Sequence, residues 1–164
     1  MSRGLMSFWL VTADARAAQV FECRWDSEAR LVATPLSSIR STHEGEHVHQ
    51  RPPLSGGAER RGAIARSGGH AAPHSFGTGH ADEEEVERFA REVGTWLGAL
   101  SIGHGVDHTI VFAPPRFLGL LREHVPARGG LLLLEGDLSH HRASELAAHP
   151  AVVAAASKIG SHSP

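Results

Sequence analysis

Ala113-Pro114-Pro115-Arg116-Phe117-Leu118-Gly119-Leu120-Leu121-Arg122-Glu123-His124-Val125 is the stretch whose pattern decides the fold. It follows Thr109-Ile110-Val111-Phe112, so the chain leaves an apolar strand through a rigid Pro-Pro elbow and enters a helix. Phe117, Leu118 and Leu121 supply the packing face of that helix, while Arg116 and Arg122 are displayed. A second apolar run, Leu131-Leu132-Leu133-Leu134-Glu135, comes next. A strand, a helix and a strand in that order form a crossover unit, which predicts parallel pairing of the two strands. The elbow is not a catalytic signature.

Working outward, a last helical stretch begins near Arg142 and is interrupted by Pro150. Upstream, Asp82 is a good N-cap, and Glu83, Glu84 and Glu85 suit the positive end of a helix dipole. Val86, Phe89, Ala90, Val93, Leu97 and Leu100 recur at three- and four-residue intervals, predicting a helix to about Leu100 that covers a sheet. At the other end, Phe8–Ala13, Ala17–Trp25 and Leu31–Leu36 read as short strands joined by tight turns, an antiparallel meander. The predicted fold is therefore α/β (α+β): one mixed sheet with an N-terminal meander and covering helices. Residues 40–80 differ in character, with eight glycines, six histidines, five arginines and few large apolar groups. A long loop or partly disordered segment is expected there.

At 164 residues the chain is expected to be a single domain, long enough to bury a core without disulfides or structural metal. Its formal net charge of -2 omits 13 histidines, so mild acidification reverses the sign, and no strong global field favours nucleic acid. Any basic surface is local. Of 16 basic residues only Lys158 is lysine. Cys23 is the one cysteine; its apolar strand argues for an inert core thiol, and a lone cysteine fits a reducing cytoplasm. The apolar N-terminal run is too short and too interrupted for a signal peptide, and no stretch is long enough to span a membrane. The expected location is cytoplasmic, without membrane insertion.

Four segments carry a family resemblance: Trp9-Leu10-Val11-Thr12-Ala13-Asp14-Ala15-Arg16-Ala17-Ala18-Gln19-Val20-Phe21, the helix with Phe89-Ala90, the elbow Ala113–Arg122, and Gly136-Asp137-Leu138-Ser139. In this order and spacing, over roughly residues 8 to 148, they resemble the bacterial host attachment protein family, whose label is a phenotype rather than a reaction. More remotely, that family is similar to bacterial relatives of the central domain of archaeal and eukaryotic peptide-chain release factors. The resemblance implies a ribonuclease-H-like α/β fold. It also draws attention to Ser67-Gly68-Gly69-His70, because the release-factor domain carries a Gly-Gly-Gln tip. Gly68 and Gly69 permit close backbone approach, and Arg60, Arg61 and Arg66 suit phosphate contacts. His70 stands in place of the glutamine, which argues against a release activity that depends on it.

Other residue types suggest other chemistry. His43, His47 and His49, with Glu44 and Glu46, could surround zinc or nickel, but they lack the His-Glu-x-x-His spacing, and no metal or other cofactor is the primary expectation. His140 and His141 suit a polar turn. Asp14, Glu135 and Asp137 follow strand ends, the place where carboxylates hold a divalent cation for phosphoryl transfer. A strand-end aspartate also commonly caps a turn. Arg116 falls in the first turn of its helix, unfavourable to the dipole unless an anion lies near, and is a contact candidate. Three functional readings result. The first is a non-enzymatic, RNA- or ribosome-associated stress, rescue or hibernation-type factor. The second is an attachment factor acting through a protein or glycan partner. The third is a metal-dependent hydrolase or nuclease. An exposed sheet edge is consistent with a homodimer.

Overall fold

The computed structural model describes residues 6–42, 76–125 and 129–160. Five strands form one sheet: β1 (Phe8–Ala13), β2 (Ala17–Trp25), β3 (Leu31–Arg40), β4 (Thr109–Ala113) and β5 (Leu131–Glu135). Their order is β3-β2-β1-β4-β5. β1 is antiparallel to β2, and β2 to β3, so the meander is present; β1, β4 and β5 run parallel. Only β2 opposes the rest, the arrangement of a ribonuclease-H-like sheet.

The helices among the described residues are α1 (Phe76–His104), α2 (Pro115–His124), α3 (Ala143–Ala148) and α4 (Pro150–Gly160). Two cores sandwich the sheet. On one face Trp9, Val11, Ala13, Val20 and Val111 meet Phe89, Val93 and Leu97 of α1 and Phe117, Leu118 and Leu121 of α2. On the other, Phe8, Leu10, Phe21, Cys23, Ile110 and Phe112 meet Leu146 of α3 and Val152, Ala155 and Ala156 of α4. This explains why β1 and β4 read as continuous apolar runs: covered on both faces, neither strand has a wet side. Each large side chain so buried contributes about 1.5–3 kcal/mol.

The elbow behaves as its sequence dictates. Pro114 sits at φ -56°, ψ 150° and Pro115 takes the first helical position, where a missing N–H costs nothing. Phe117, Leu118 and Leu121 are buried. Two boundaries differ from expectation. α1 begins at Phe76, so Asp82 lies inside the helix and caps nothing, and the last five residues of the expected 40–80 loop are helical. β3 continues past Pro35 to Arg40. An edge strand tolerates the proline, because the outer N–H has no ladder partner to lose, and a bulge at Val20/Phe21 absorbs the local misfit. Among the described residues no helix is long and apolar enough to cross a membrane.

Candidate functional site

The face covered by α3 and α4 changes character along the strands. Register places Phe8, Cys23 and Ala33 in one row across β1, β2 and β3, then Leu10, Phe21 and Pro35, then Thr12, Gln19 and Ser38. The first two rows are apolar. The third is polar, and Asp14 lies just beyond it. Thr12, Asp14, Arg16, Gln19, Ser38, Arg40, Ser139 and His140 line one open depression of about 790 Å³. That volume falls in the range of small-molecule sites.

The depression lies at the carboxyl end of β1, over the β1–β2 turn and the adjoining ends of β2 and β3, with Ser139 and His140 from the segment after β5 at its side.

Asp14 shapes the turn between β1 and β2. Its Oδ1 accepts the N–H groups of Arg16 at 2.7 Å and Ala17 at 2.9 Å. Its Oδ2 points the other way and accepts the Ser139 hydroxyl at 2.6 Å. Burial pushes the Asp14 carboxyl up. The hydrogen bonds from Ser139, Arg16 and Ala17, together with the charge of His140, outweigh that effect and hold it below its usual value of 3.8. Ser139 Oγ is also 3.0 Å from Asp137 Oδ1. Asp14, Asp137 and His140 each bring a ligand-type atom to within 4.8 Å of the other two.

Thr12 is the only buried polar residue among those described, 1 % exposed, and its Oγ1 has no hydrogen-bond partner. An unsatisfied buried hydroxyl costs about 1–3 kcal/mol. It lines the same depression as the carboxylates.

The sequence-derived candidates are distributed unevenly. Asp14 and Asp137 come together, whereas Glu135 ends β5 exposed, and His140 is the third member of the group. Sequence reasoning gave His140 only a turn role and singled out neither Thr12 nor Ser139. The available signals were a threonine inside an apolar strand and the run Asp137-Leu138-Ser139-His140. Arg116 Nη2 donates to Glu83 Oε1 at 2.9 Å, supplying the nearby carboxylate that its place in the first turn calls for and tying α2 to α1. Both side chains are exposed, so the pair is worth little, about 0–1 kcal/mol. Arg60, Arg61, Arg66, Gly68, Gly69 and His70, like His43, His47 and His49, lie outside the described residues. Cys23 is fully buried, and burial with the nearby Glu22 charge pushes its thiol up to about 12, an inert group. A second cavity, lined by Trp9, Leu97, Val106, Thr109 and Leu131 at the opposite end of the strands, is about 50 Å³ and has room for a few waters.

No curated protein sequence matches the chain. Among solved structures it is similar to the archaeal translation termination factor aRF1, at 12% identity and a TM-score of 0.39, over 93% of this chain and 37% of that one. It is also similar to a Ppx/GppA family member from Aquifex aeolicus, at 10% identity and a TM-score of 0.37, over 80% of this chain and 35% of that one. The chain thus spans little more than a third of either structure. Residues 9–149 match the family described as "Protein required for attachment to host cells". All of the sheet but Phe8, the elbow and the Asp137–Ser139 turn fall inside that match, and the chain belongs to the host attachment family.

Proposed function

We propose that this host attachment family member is a binding module, and that the depression at the carboxyl end of β1 takes a phosphate-bearing ligand. The observation that carries the reading is the abrupt change of the face of β1, β2 and β3 toward this end of the sheet. Two apolar rows give way to Thr12, Gln19 and Ser38, and Arg16 and Arg40 are among the residues lining the same open space. Arginine presents a planar fork of donors that matches phosphate oxygens, and hydroxyl and amide groups supply the remaining hydrogen bonds. At about 790 Å³ the depression holds more than one phosphate group.

Phosphate chemistry is shared by small phosphorylated compounds and by an RNA backbone. The reading as an RNA- or ribosome-associated cytoplasmic factor is one form of this proposal, and the label of the family leaves the molecular route to attachment open. Calorimetric titration with inorganic pyrophosphate and, separately, with a short oligoribonucleotide distinguishes the two sources. Saturable binding of either, weakened about tenfold by Arg40→Ala, is expected from loss of one charge-assisted hydrogen bond. Arg40 is exposed on an edge strand, so its replacement leaves the fold intact. Binding of neither probe, or binding indifferent to Arg40→Ala, overturns the proposal.

A further inference from the structure

From the open edge of β5 we infer a homodimer in which β5 pairs antiparallel with β5 of a second copy, across a two-fold axis at Leu133. The strand order β3-β2-β1-β4-β5 makes β3 and β5 the edges of the sheet, and among the described residues no strand lies beyond either.

The two edges differ. β3 carries Pro35, which has no N–H to offer, and its ladder with β2 shifts register at Val20/Phe21. Prolines and bulges of this kind keep an edge from pairing with another chain. β5, Leu131-Leu132-Leu133-Leu134-Glu135, has neither device; it holds an unbroken register with β4 and carries no charge before its last residue. Such an edge is a template for a further strand.

Its backbone groups select what that strand is. The Gly130 carbonyl accepts the Thr109 N–H at 2.9 Å, and the Gly136 N–H donates to the Ala113 carbonyl at 3.0 Å, so both glycines face β4. Successive residues of a strand alternate in this respect, which turns Leu132 and Leu134 to β4 as well and leaves Leu131, Leu133 and Glu135 with N–H and C=O directed outward. The outward set is symmetric about Leu133. Two-fold antiparallel pairing opposes Leu133 to Leu133 of the second copy, and Leu131 to its Glu135, so every outward donor meets an outward acceptor. A slip of one residue sets outward groups against inward ones, and a slip of two leaves one outward residue of each strand unpaired.

The side chains agree. Leu131 and Leu133 pack on the core beneath α1 and α2, Leu132 and Leu134 on the core beneath α3 and α4, and all four stay half-buried. In β4, which has a strand on both sides, Ile110, Val111, Phe112 and Ala113 are 2 % exposed or less. The pairing sets Leu133 beside Leu133 on one face and Leu132 beside Leu134 on the other, the cross-strand neighbours that the edge lacks. Glu135 opposes Leu131 and never its own copy, so no like charges meet. Backbone, leucines and charge are thus self-complementary, as an isologous contact requires, and the occupant of the edge is a second copy of this chain. Five residues make a short contact, so the dimer is reversible and its population follows concentration.

Sedimentation velocity of the full chain at rising concentration is expected to pass from monomer to dimer. Leu133→Pro removes an outward N–H and no bond to β4, and should weaken association at least about tenfold in a chain whose circular dichroism is that of wild type. Disulfide trapping reads the register separately and decides by itself if the proline variant does not fold. Leu132 and Leu134 of the second copy form a non-hydrogen-bonded pair with Cα atoms about 4.5 Å apart, within disulfide reach. Leu132 and its own copy, or Leu134 and its own copy, stand diagonally at about 7–8 Å, beyond that reach. A mixture of Leu132→Cys and Leu134→Cys chains should therefore cross-link far faster than either alone, and Cys23, buried and inert, takes no part. A monomer at every concentration, a dimer indifferent to Leu133→Pro, or cross-linking no faster in the mixture than in the separate variants overturns the inference.

Discussion

Asp14 uses its two oxygens for different purposes. Oδ1 closes the turn through the Arg16 and Ala17 N–H groups, and Oδ2 faces Ser139 and the depression. Strand-end Asp14 thus both closes the turn and lines the depression, and its sequence position suggested a turn role and a candidate site role. Because its folded value lies below the ordinary 3.8, folding favours the ionised form. The stability it contributes is fully present above pH 3.8 and is lost as pH falls through the lower folded value. Asp14→Asn retains an acceptor for the turn and removes the charge. Urea unfolding should show the variant less stable than wild type at neutral pH, with the difference shrinking as pH falls below 3.8; a difference independent of pH would contradict the ionised role. Thr12 and His140 were not legible in the same way. Alternation assigns Thr12 to a face of β1 but says nothing of what covers that face, and His140 reaches Asp14 only because the chain turns back after Asp137.

At the level of elements, the apolar runs and the proline elbow made most of the fold readable. Five strands, the crossover unit and the break at Pro150 follow from local pattern, since each rests on burial or on the missing proline N–H. The start of α1 did not follow, because Phe76-Gly77-Thr78-Gly79-His80 has no helical signal of its own and Asp82 offered a persuasive but wrong cap. The close approach of α1 and α2 is another feature no single segment announces. A Cβ added at Gly94 would stand 2.5 Å from the His124 carbonyl oxygen, a contact with backbone that cannot swing aside. Gly94→Ala should therefore force the helices apart and destabilise the protein by about 1–3 kcal/mol, seen as a Tm lowered by several degrees. An unchanged or raised Tm would show that the glycine is there for another reason.

For the whole molecule, the sheet order sets where function can sit. Helices α3 and α4 cover the apolar rows of the sheet, and polar and charged residues collect beyond them, at the carboxyl end of β1 and the adjoining ends of β2 and β3. From sequence alone Asp14, Glu135 and Asp137 read as one candidate cluster of strand-end carboxylates; which of them are neighbours is a property of topology, and Asp14 and Asp137 come together without Glu135. Attachment to a host is an outcome several steps removed from such a depression, and the step proposed for it is recognition of a phosphate-bearing ligand. Amide NMR of the isotope-labelled chain, titrated with pyrophosphate, tests that step directly. Shifts are expected at the residues around Thr12, Asp14, Gln19, Ser38, Arg40, Ser139 and His140. Shifts absent from this group, or confined to the neighbourhood of Arg116 or to Arg60, Arg61 and Arg66, would place recognition elsewhere and contradict the assignment of the depression as the site.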